Sequence, residues 1–532
     1  MQRPLLSSAF LAASLLLAVA ATPAQEEEQQ RGMLSMKDGR MFVDLILEQN
    51  AKGGVDVVLS AGRIHVPESL IQDYFIPGAK IAFEASSKKE QEMVEKGYVR
   101  YRGKWLREAI AKRQLEKEQN RREIQLRAMK TAKRLRNMRT HETRDYRFKH
   151  NLPEHIAGEL IMLFEEFHNE WKKRWHKKPN LPQKPTVSFY ADQADYLQYT
   201  GISAGALGFY HFGGITLHIY WDRSDPELTR NVLYHEATHL LTDGIDGKFK
   251  YPPWIEEGLA EYYGSSKWDP KARPGKRMQP GGILPGRLVT VKTMIAKKKP
   301  MTLEDLISYD RVGGKNFGSV QYAWAWTFMR FLHDNKSYRK RFQKYWLDLA
   351  HKKKGIKRVP MSQWETIEAA EAKRLFMKYM KLKDLKAMQK EWYAYIDKLQ
   401  VESLAGLEAA GRRFKAFGEH KEAKAVLKQA IEKGAKNPLT WLAWAEYQYR
   451  DSNWGEVIRS IDKALAIDPL IPALYHMKSR AKRRMMGEEN KKEGMRLLRI
   501  AAELDPFAYA WDLAEAETEE GRKKEEQRRK RG

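Results

Sequence analysis

The chain has 532 residues, 42% of them hydrophobic and none of them cysteine, with a formal net charge of +27. That length exceeds a single hydrophobic core, so two to four domains are expected; the lack of cysteine excludes disulfides, thiolate metal sites and a cysteine-linked lipid. So basic a chain would suggest nucleic acid in a cytosolic protein, but the first residues argue for export. Anionic lipids, cell-wall polymers or acidic polysaccharides of an envelope surface then become the electrostatic partners, unless the basic surface is merely solvated.

The opening MQRPLLSSAFLAASLLLAVAATPA sets one Arg before a short apolar run that ends in small residues. This is the layout of a secretory signal peptide over residues 1–24, cleaved between Ala20 and Ala24. The run is short for a bilayer span and is broken by Pro and Ser, and no later segment is apolar enough to cross. The expectation is a periplasmic or extracellular protein, not a lipoprotein, with no transmembrane span after cleavage. An acidic, Gln-rich linker (25–32) leads to a small β-rich module at 33–106. There MFVDLIL, VDVVLS and RIHVP read as short strands, and YVRYRGKWL at 98–106 as a further strand or hairpin. Residues 107–144 read as a charged helical connector, since from Glu108 to about Arg139 the chain is rich in Lys, Arg, Glu, Gln, Ala and Leu without Pro or Gly.

Residues 145–400 mix long helical patterns with short strands. LPEHIAGELIMLFEEFHNEWKKRW at 152–175 has helical apolar spacing, and TVSFYA at 186–191 and GITLHIYW at 214–221 read as strands. Two helical segments follow, NVLYHEATHL from Asn231 and WIEEGLAEYY from Trp254, an order that suits an α+β domain with both helices packed beneath a sheet. His235 and His239 lie about 40° apart around a helix axis and roughly 6 Å along it, so both imidazoles can grip one ion. Glu236 lies beside them, placed to take a proton from water instead of acting as a ligand. A catalytic zinc site needs a third protein ligand and an open position. Glu257, 18 residues beyond His239, is the candidate. Glu261 falls one turn later on the same face, where it can accept a hydrogen bond from a liganding imidazole; Glu256 is expected to face solvent. The alternative, two amphipathic helices without an ion, leaves two His and a Glu buried at a cost.

HEATH followed by WIEEGLAEYY resembles the gluzincin metallopeptidases, in which an H-E-x-x-H helix is joined by a downstream Glu in an E-G-x-A-type helix. It is most similar to the peptidase MA-like group of exported bacterial proteins, where such a domain is often coupled to tetratricopeptide repeats. The resemblance covers about residues 145–400 and implies a mainly helical, thermolysin-like domain with a small mixed sheet. It also implies Zn²⁺ held by His235, His239 and Glu257, with Glu236 as general base for peptide-bond hydrolysis by an activated water. ALGFYHFGGITLHIYW (206–221) resembles the strand along the cleft of these enzymes, where an extended peptide could add. VQYAWAWTFMRFL (320–332) resembles the later helix whose Tyr faces the metal, which would make Tyr322 a donor to the developing oxyanion. A core aromatic is the other reading of Tyr322, and His211 and His218 read as plain strand residues. Endopeptidase, aminopeptidase and amidase readings all stay open, and two His and a Glu also accept other divalent ions. The alternative function is a catalytically inactive gluzincin-like binding or scaffold protein acting through its repeats.

Beyond residue 403 a repeat emerges. GEHKEAKAVLKQAIEKGAKNP (418–438) aligns with SNWGEVIRSIDKALAIDP (452–469), placing Ala423 opposite Val457 and Ala430 opposite Ala464, 34 residues on. EGMRLLRIAAELDP (493–506) puts Gly494 and Ala501 37 residues beyond their counterparts, which reads as a longer preceding loop. Helix pairs of this period closing on Asp-Pro resemble the tetratricopeptide repeat. The expectation is an α-helical repeat array over 403–516, suited to a protein partner, followed by a charged tail at 517–532.

Overall fold

The computed structural model describes residues 31–518, apart from 51–52, 79–80, 82–84, 86, 102–103, 133–137, 177–178, 203–206, 224, 270, 352, 354, 402, 417 and 507. The expected signal peptide, the linker up to residue 30 and the tail from 519 onward lie outside the described residues. No helix among the described residues is long and apolar enough to cross a membrane. The fold is α+β, with a C-terminal helical array.

Strands β1 (Gly32–Met36), β2 (Met41–Gln49), β3 (Val55–Leu59), β4 (Gly62–Val66) and β5 (Ile71–Phe75) form an antiparallel sheet in the order β4-β3-β2-β1-β5. In β4, Ile64 and Val66 are buried while Arg63 and His65 are exposed, the period of two that a half-buried strand requires. β1 lacks that alternation, because all five of its residues are buried. A lone sheet must cover its apolar face, and this one uses the far end of the chain: Leu34, Leu47, Val55 and Val57 share a core with Leu470, Leu497, Ile500 and Leu504. The turn after β1 is the joint. Arg40 pairs with Asp468 and donates to Leu470 O at 2.8 Å, while Trp221 Nε1 donates to Asp38 O at 2.9 Å.

Helix α1 (Lys88–Glu95) and the hairpin β6 (Tyr98–Tyr101)–β7 (Lys104–Arg107) lead into the charged helix α2 (Glu108–Ala132). α2 is anchored on the sheet edge, where Arg122 pairs with Asp73 of β5 at 3.1 Å and lies over the Tyr74 ring.

The second sheet starts at Arg139, ahead of the boundary expected at 145. β8 (Arg139–Glu142), β9 (Arg147–His150), β10 (Thr186–Tyr190), β11 (Gly208–His211) and β12 (Thr216–Tyr220) lie in the order β11-β12-β10-β9-β8. The sheet is mixed: β9, β10 and β12 are mutually parallel, and β8 and β11 are antiparallel edges. α3 (Glu154–Trp175) crosses from β9 to β10, burying Leu160, Phe164, Phe167, Trp171 and Trp175; α4 (Gln193–Thr200) follows β10. α5 (Pro226–Asp243) and α6 (Pro253–Gly264) carry the motifs. The small pair β13 (Lys267–Trp268)–β14 (Met278–Gln279) and helices α7 (Pro285–Ala296), α8 (Leu303–Ile307), α9 (Ser319–Asp334) and α10 (Lys336–Ala350) come next. The pair β15 (Val359–Pro360)–β16 (Glu365–Thr366), α11 (Ala369–Met380) and α12 (Lys386–Lys398) complete the domain. Trp171, Trp175, Trp254, Trp324, Trp346 and Trp392 are all fully buried in one core. Large aromatic areas stabilise a domain that has no disulfide to rely on.

The array consists of α13 (Leu404–Ala416), α14 (His420–Glu432), α15 (Pro438–Arg450), α16 (Trp454–Ile467), α17 (Pro472–Arg484) and α18 (Glu488–Leu504). First helices start at 404, 438 and 472 and second helices at 420, 454 and 488, so every pair keeps a 34-residue period. The longer loop expected before the third copy is absent: 451–453 and 485–487 are equal, and the three extra residues lengthen α18 to 17 residues against 14 in α16. The array is tied to the central domain through Arg412 and Arg413 of α13, which reach Asp225 at the start of α5 at 3.7 and 3.2 Å.

Because the N-terminal sheet has its core completed by α17 and α18, Leu497→Ala should cost about 2–5 kcal/mol and accelerate amide hydrogen exchange in β1–β5. Exchange changes confined to α17 and α18 would contradict the shared core.

Candidate metal centre

α5 begins where the sequence allows a helix to begin. Asp225 caps it by accepting from Leu228 N at 3.0 Å, and Pro226 occupies the first turn, where its missing N–H costs nothing. The helix buries Leu233, Tyr234, Ala237, Leu240 and Leu241, which fixes its rotation and sends His235, Glu236 and His239 to the partly buried side. α6 starts at Pro253 and crosses close to α9. Gly258 makes the approach feasible: a Cβ there would come within 3.0 Å of Ala325 O.

The two helices bring the predicted residues together. His235 Nε2 and His239 Nε2 are 3.2 Å apart, and Glu257 Oε2 lies 3.4 and 3.5 Å from them. Among the described residues this is the one group of His and carboxylate side chains that could hold a metal. Glu257 Oε2 is buried and makes no hydrogen bond, an expensive state for a carboxylate oxygen unless an ion or proton satisfies it. Donors on a tetrahedron of 2.0–2.1 Å bonds stand about 3.3–3.4 Å apart, so the observed separations match a zinc-type ion. Burial is the largest single influence and opposes charge on both imidazoles, but the surrounding carboxylates, Glu257 foremost with Glu236 and the more distant Glu261 and Glu256, together outweigh it, raising His235 and pushing His239 up to about 10. Glu257 answers in the opposite sense: burial alone would raise its carboxyl, yet the two imidazoles hold it far below the usual carboxylate range.

Each imidazole of the cluster has a carboxylate near its Nδ1. Glu261 Oε1 sits 3.6 Å from His235 Nδ1, where the spacing predicted it, and is gripped by Arg287 through Nε at 3.1 Å and Nη2 at 2.9 Å. Glu256 departs from the expectation of a solvent-facing side chain. Its Oε1 lies 3.6 Å from His239 Nδ1 and its Oε2 pairs with Arg311, which also donates to Tyr251 O at 3.0 Å. The segment carrying Arg311 covers what would otherwise be the outer side of α6. The result is two similar chains, Arg287–Glu261–His235 and Arg311–Glu256–His239, each setting an arginine-held carboxylate beside the Nδ1 of one ring.

Glu236 faces the edge of the second sheet, with Oε2 accepting from Tyr210 N of β11 at 2.9 Å. Tyr322 stacks against His235, ring centroids 6.3 Å apart, and Arg287 lies over its other neighbourhood at 5.3 Å from the ring centroid. Burial first and the Glu257 carboxylate second hold its phenol above the ordinary value, so it stays a proton donor. His211 and His218 stand apart from the cluster. His211 is exposed at the end of β11, while His218 lies in β12, stacked on Phe209, with Nδ1 2.8 Å from Tyr190 OH, and burial pushes it down to about 4.

Arg287, Arg311 and the Tyr210 amide are the members of the site that sequence reading missed. Lys and Arg total 96, so no local pattern singles out the two that matter. A scan against protein-family models returns no match for this chain, and a search of the curated proteins returns none either.

Proposed function

We propose that the chain is an exported zinc-dependent metallopeptidase of the gluzincin type, with His235, His239 and Glu257 as metal ligands. The observation that carries the reading is the donor triangle of 3.2, 3.4 and 3.5 Å around an otherwise unsatisfied carboxylate oxygen. Zn²⁺ held there would polarise a carbonyl oxygen and lower the pKa of water from 15.7 to about 7.

The chain's own residues supply the rest. Glu236, oriented by the Tyr210 N–H, accepts a proton on Oε1 from the attacking water and returns it to the leaving amine nitrogen. Tyr322 keeps its proton and donates to the oxygen that gains charge as the carbonyl carbon becomes tetrahedral. β11 is an edge strand beside Glu236, so an extended peptide can align along it by backbone hydrogen bonds. Glu261 and Glu256, beside the Nδ1 atoms, would leave both Nε2 atoms for the ion. The helical array would then serve as the surface for a protein substrate or partner; its likeness to tetratricopeptide repeats belongs to the same proposal.

Glu236→Gln should lower peptide hydrolysis by about 10²–10⁴-fold while bound zinc, measured by elemental analysis, stays stoichiometric; His239→Ala should lose the zinc itself. A Gln variant that cleaves a peptide library as fast as the parent would remove Glu236 from its role. Stoichiometric zinc in the parent without cleavage of any peptide would favour the binding-protein alternative.

Tyr322→Phe should reduce kcat by about 10²–10³-fold with little change in KM, read by steady-state kinetics on a cleaved peptide. An unchanged kcat would leave Tyr322 as a packing residue.

At pH 7 a His239 raised to about 10 carries a proton that an incoming cation must displace. Zinc binding should therefore release protons, and its apparent affinity should rise with pH towards about 10. Calorimetry in buffers of different ionisation enthalpy measures the release; none at pH 7 would contradict the shared-proton cluster.

A further inference from the structure

A second site stands apart from the metal centre. A cavity of about 570 Å³ opens between α15, α16 and α17, lined by Glu446, Tyr449, Arg450, Trp454, Arg480 and Arg484 among others. None of the three arginines has a carboxylate partner among the described residues, and the one carboxylate named in the lining, Glu446, is committed to Lys415 of α13. Three like charges gathered around a concavity repel one another, and an anion in the cavity relieves that repulsion.

The aromatic residues give the cavity a shape as well as a charge. The Arg480 guanidinium lies 4.4 Å from the centroid of the Tyr449 ring, and Tyr449 packs against Trp454 with centroids 4.8 Å apart. Stacking holds the guanidinium plane while leaving its N–H edge free, the presentation that suits a carboxylate fork. Arg480 and Arg484 are one helical turn apart, so both leave the same face of α17, roughly 6 Å apart along its axis.

Two neighbouring cations are already paired, Lys478 with Asp462 at 2.6 Å and Arg459 with Glu456 at 2.7 Å, while Lys482 donates to the neutral amide of Asn490 at 3.0 Å and keeps its charge. Arg450, Arg480 and Arg484 present their charge to one concavity, whereas a nucleic-acid backbone needs a continuous basic track over several phosphates.

We propose that this cavity binds an acidic peptide segment, its carboxylates held by Arg450, Arg480 and Arg484 and an adjacent apolar side chain laid on Tyr449 and Trp454. The site does not depend on the metallopeptidase reading.

The test is fluorescence anisotropy of a labelled Glu-Phe-Glu-Glu-Leu-Glu peptide on the full chain, at about 0.15 M salt. The triple variant Arg450→Glu, Arg480→Glu, Arg484→Glu is compared with a distant triple of equal charge change, Lys383→Glu, Lys386→Glu, Lys390→Glu, all six side chains being exposed. Circular dichroism confirms that both variants fold. The proposal expects binding to weaken on the order of tenfold or more in the first triple only, and to be lost when every Glu of the peptide becomes Gln. Equal weakening in both triples would reduce the effect to net charge and overturn the site. So would undiminished binding of the Gln peptide, or a single-stranded oligonucleotide that binds more tightly than the peptide and is lost in the same variant.

Discussion

Two imidazole nitrogens and a carboxylate oxygen held within 3.5 Å of one another impose the strictest constraint in the molecule. Lone pairs brought that close in a partly buried place are unfavourable unless a cation or shared protons sit among them. The raised imidazoles and the depressed Glu257 carboxyl are the protonic answer to that constraint; a divalent ion is the other. Both require α5 and α6 to keep a fixed offset: Gly264 of α6 lies so near α5 that a Cβ there would come within 3.1 Å of Asn231 O, while the Gly258–Ala325 contact and the Arg287 and Arg311 pairs hold α6 against α9, α7 and the loop after α8.

That offset is supported from outside the motif helices. α7 carries Arg287 and packs on the array, where Gly406 lies so near Pro285 that a Cβ would come within 2.8 Å. The start of α5 is held by the two arginines of α13. The N-terminal sheet closes the circuit by sharing a core with α17 and α18 and meeting the central domain at Trp221. Chain ends distant in sequence are therefore joined physically around the domain that bears the site.

Much of this was legible because it is local. Helical spacing announced α3, α5 and α6, and the His235, His239, Glu257 and Glu261 placements follow from turns of two helices. β2, β3 and β4 showed as short apolar runs punctuated by Gly and Asn. What stayed hidden is non-local. β1 is buried at every position, because neighbouring strands and distant helices enclose it, so it shows no period of two. Glu256 turned out to support His239, because the residue that covers it, Arg311, comes from a loop 55 positions away. α18 absorbed three residues as helix where a loop was expected, since equal loops keep the pairs in register. No periodicity marks which arginine will meet which glutamate.

The central claim is that His235, His239 and Glu257 bind one zinc-type ion and leave a position open. X-ray absorption at the zinc edge of the loaded protein tests it most directly. The account predicts two imidazole nitrogens at about 2.0–2.1 Å and carboxylate and solvent oxygens at about 2.0–2.2 Å, with the imidazole signal lost in His235→Ala/His239→Ala. A coordination shell without imidazole, or one unchanged by that double substitution, would contradict it.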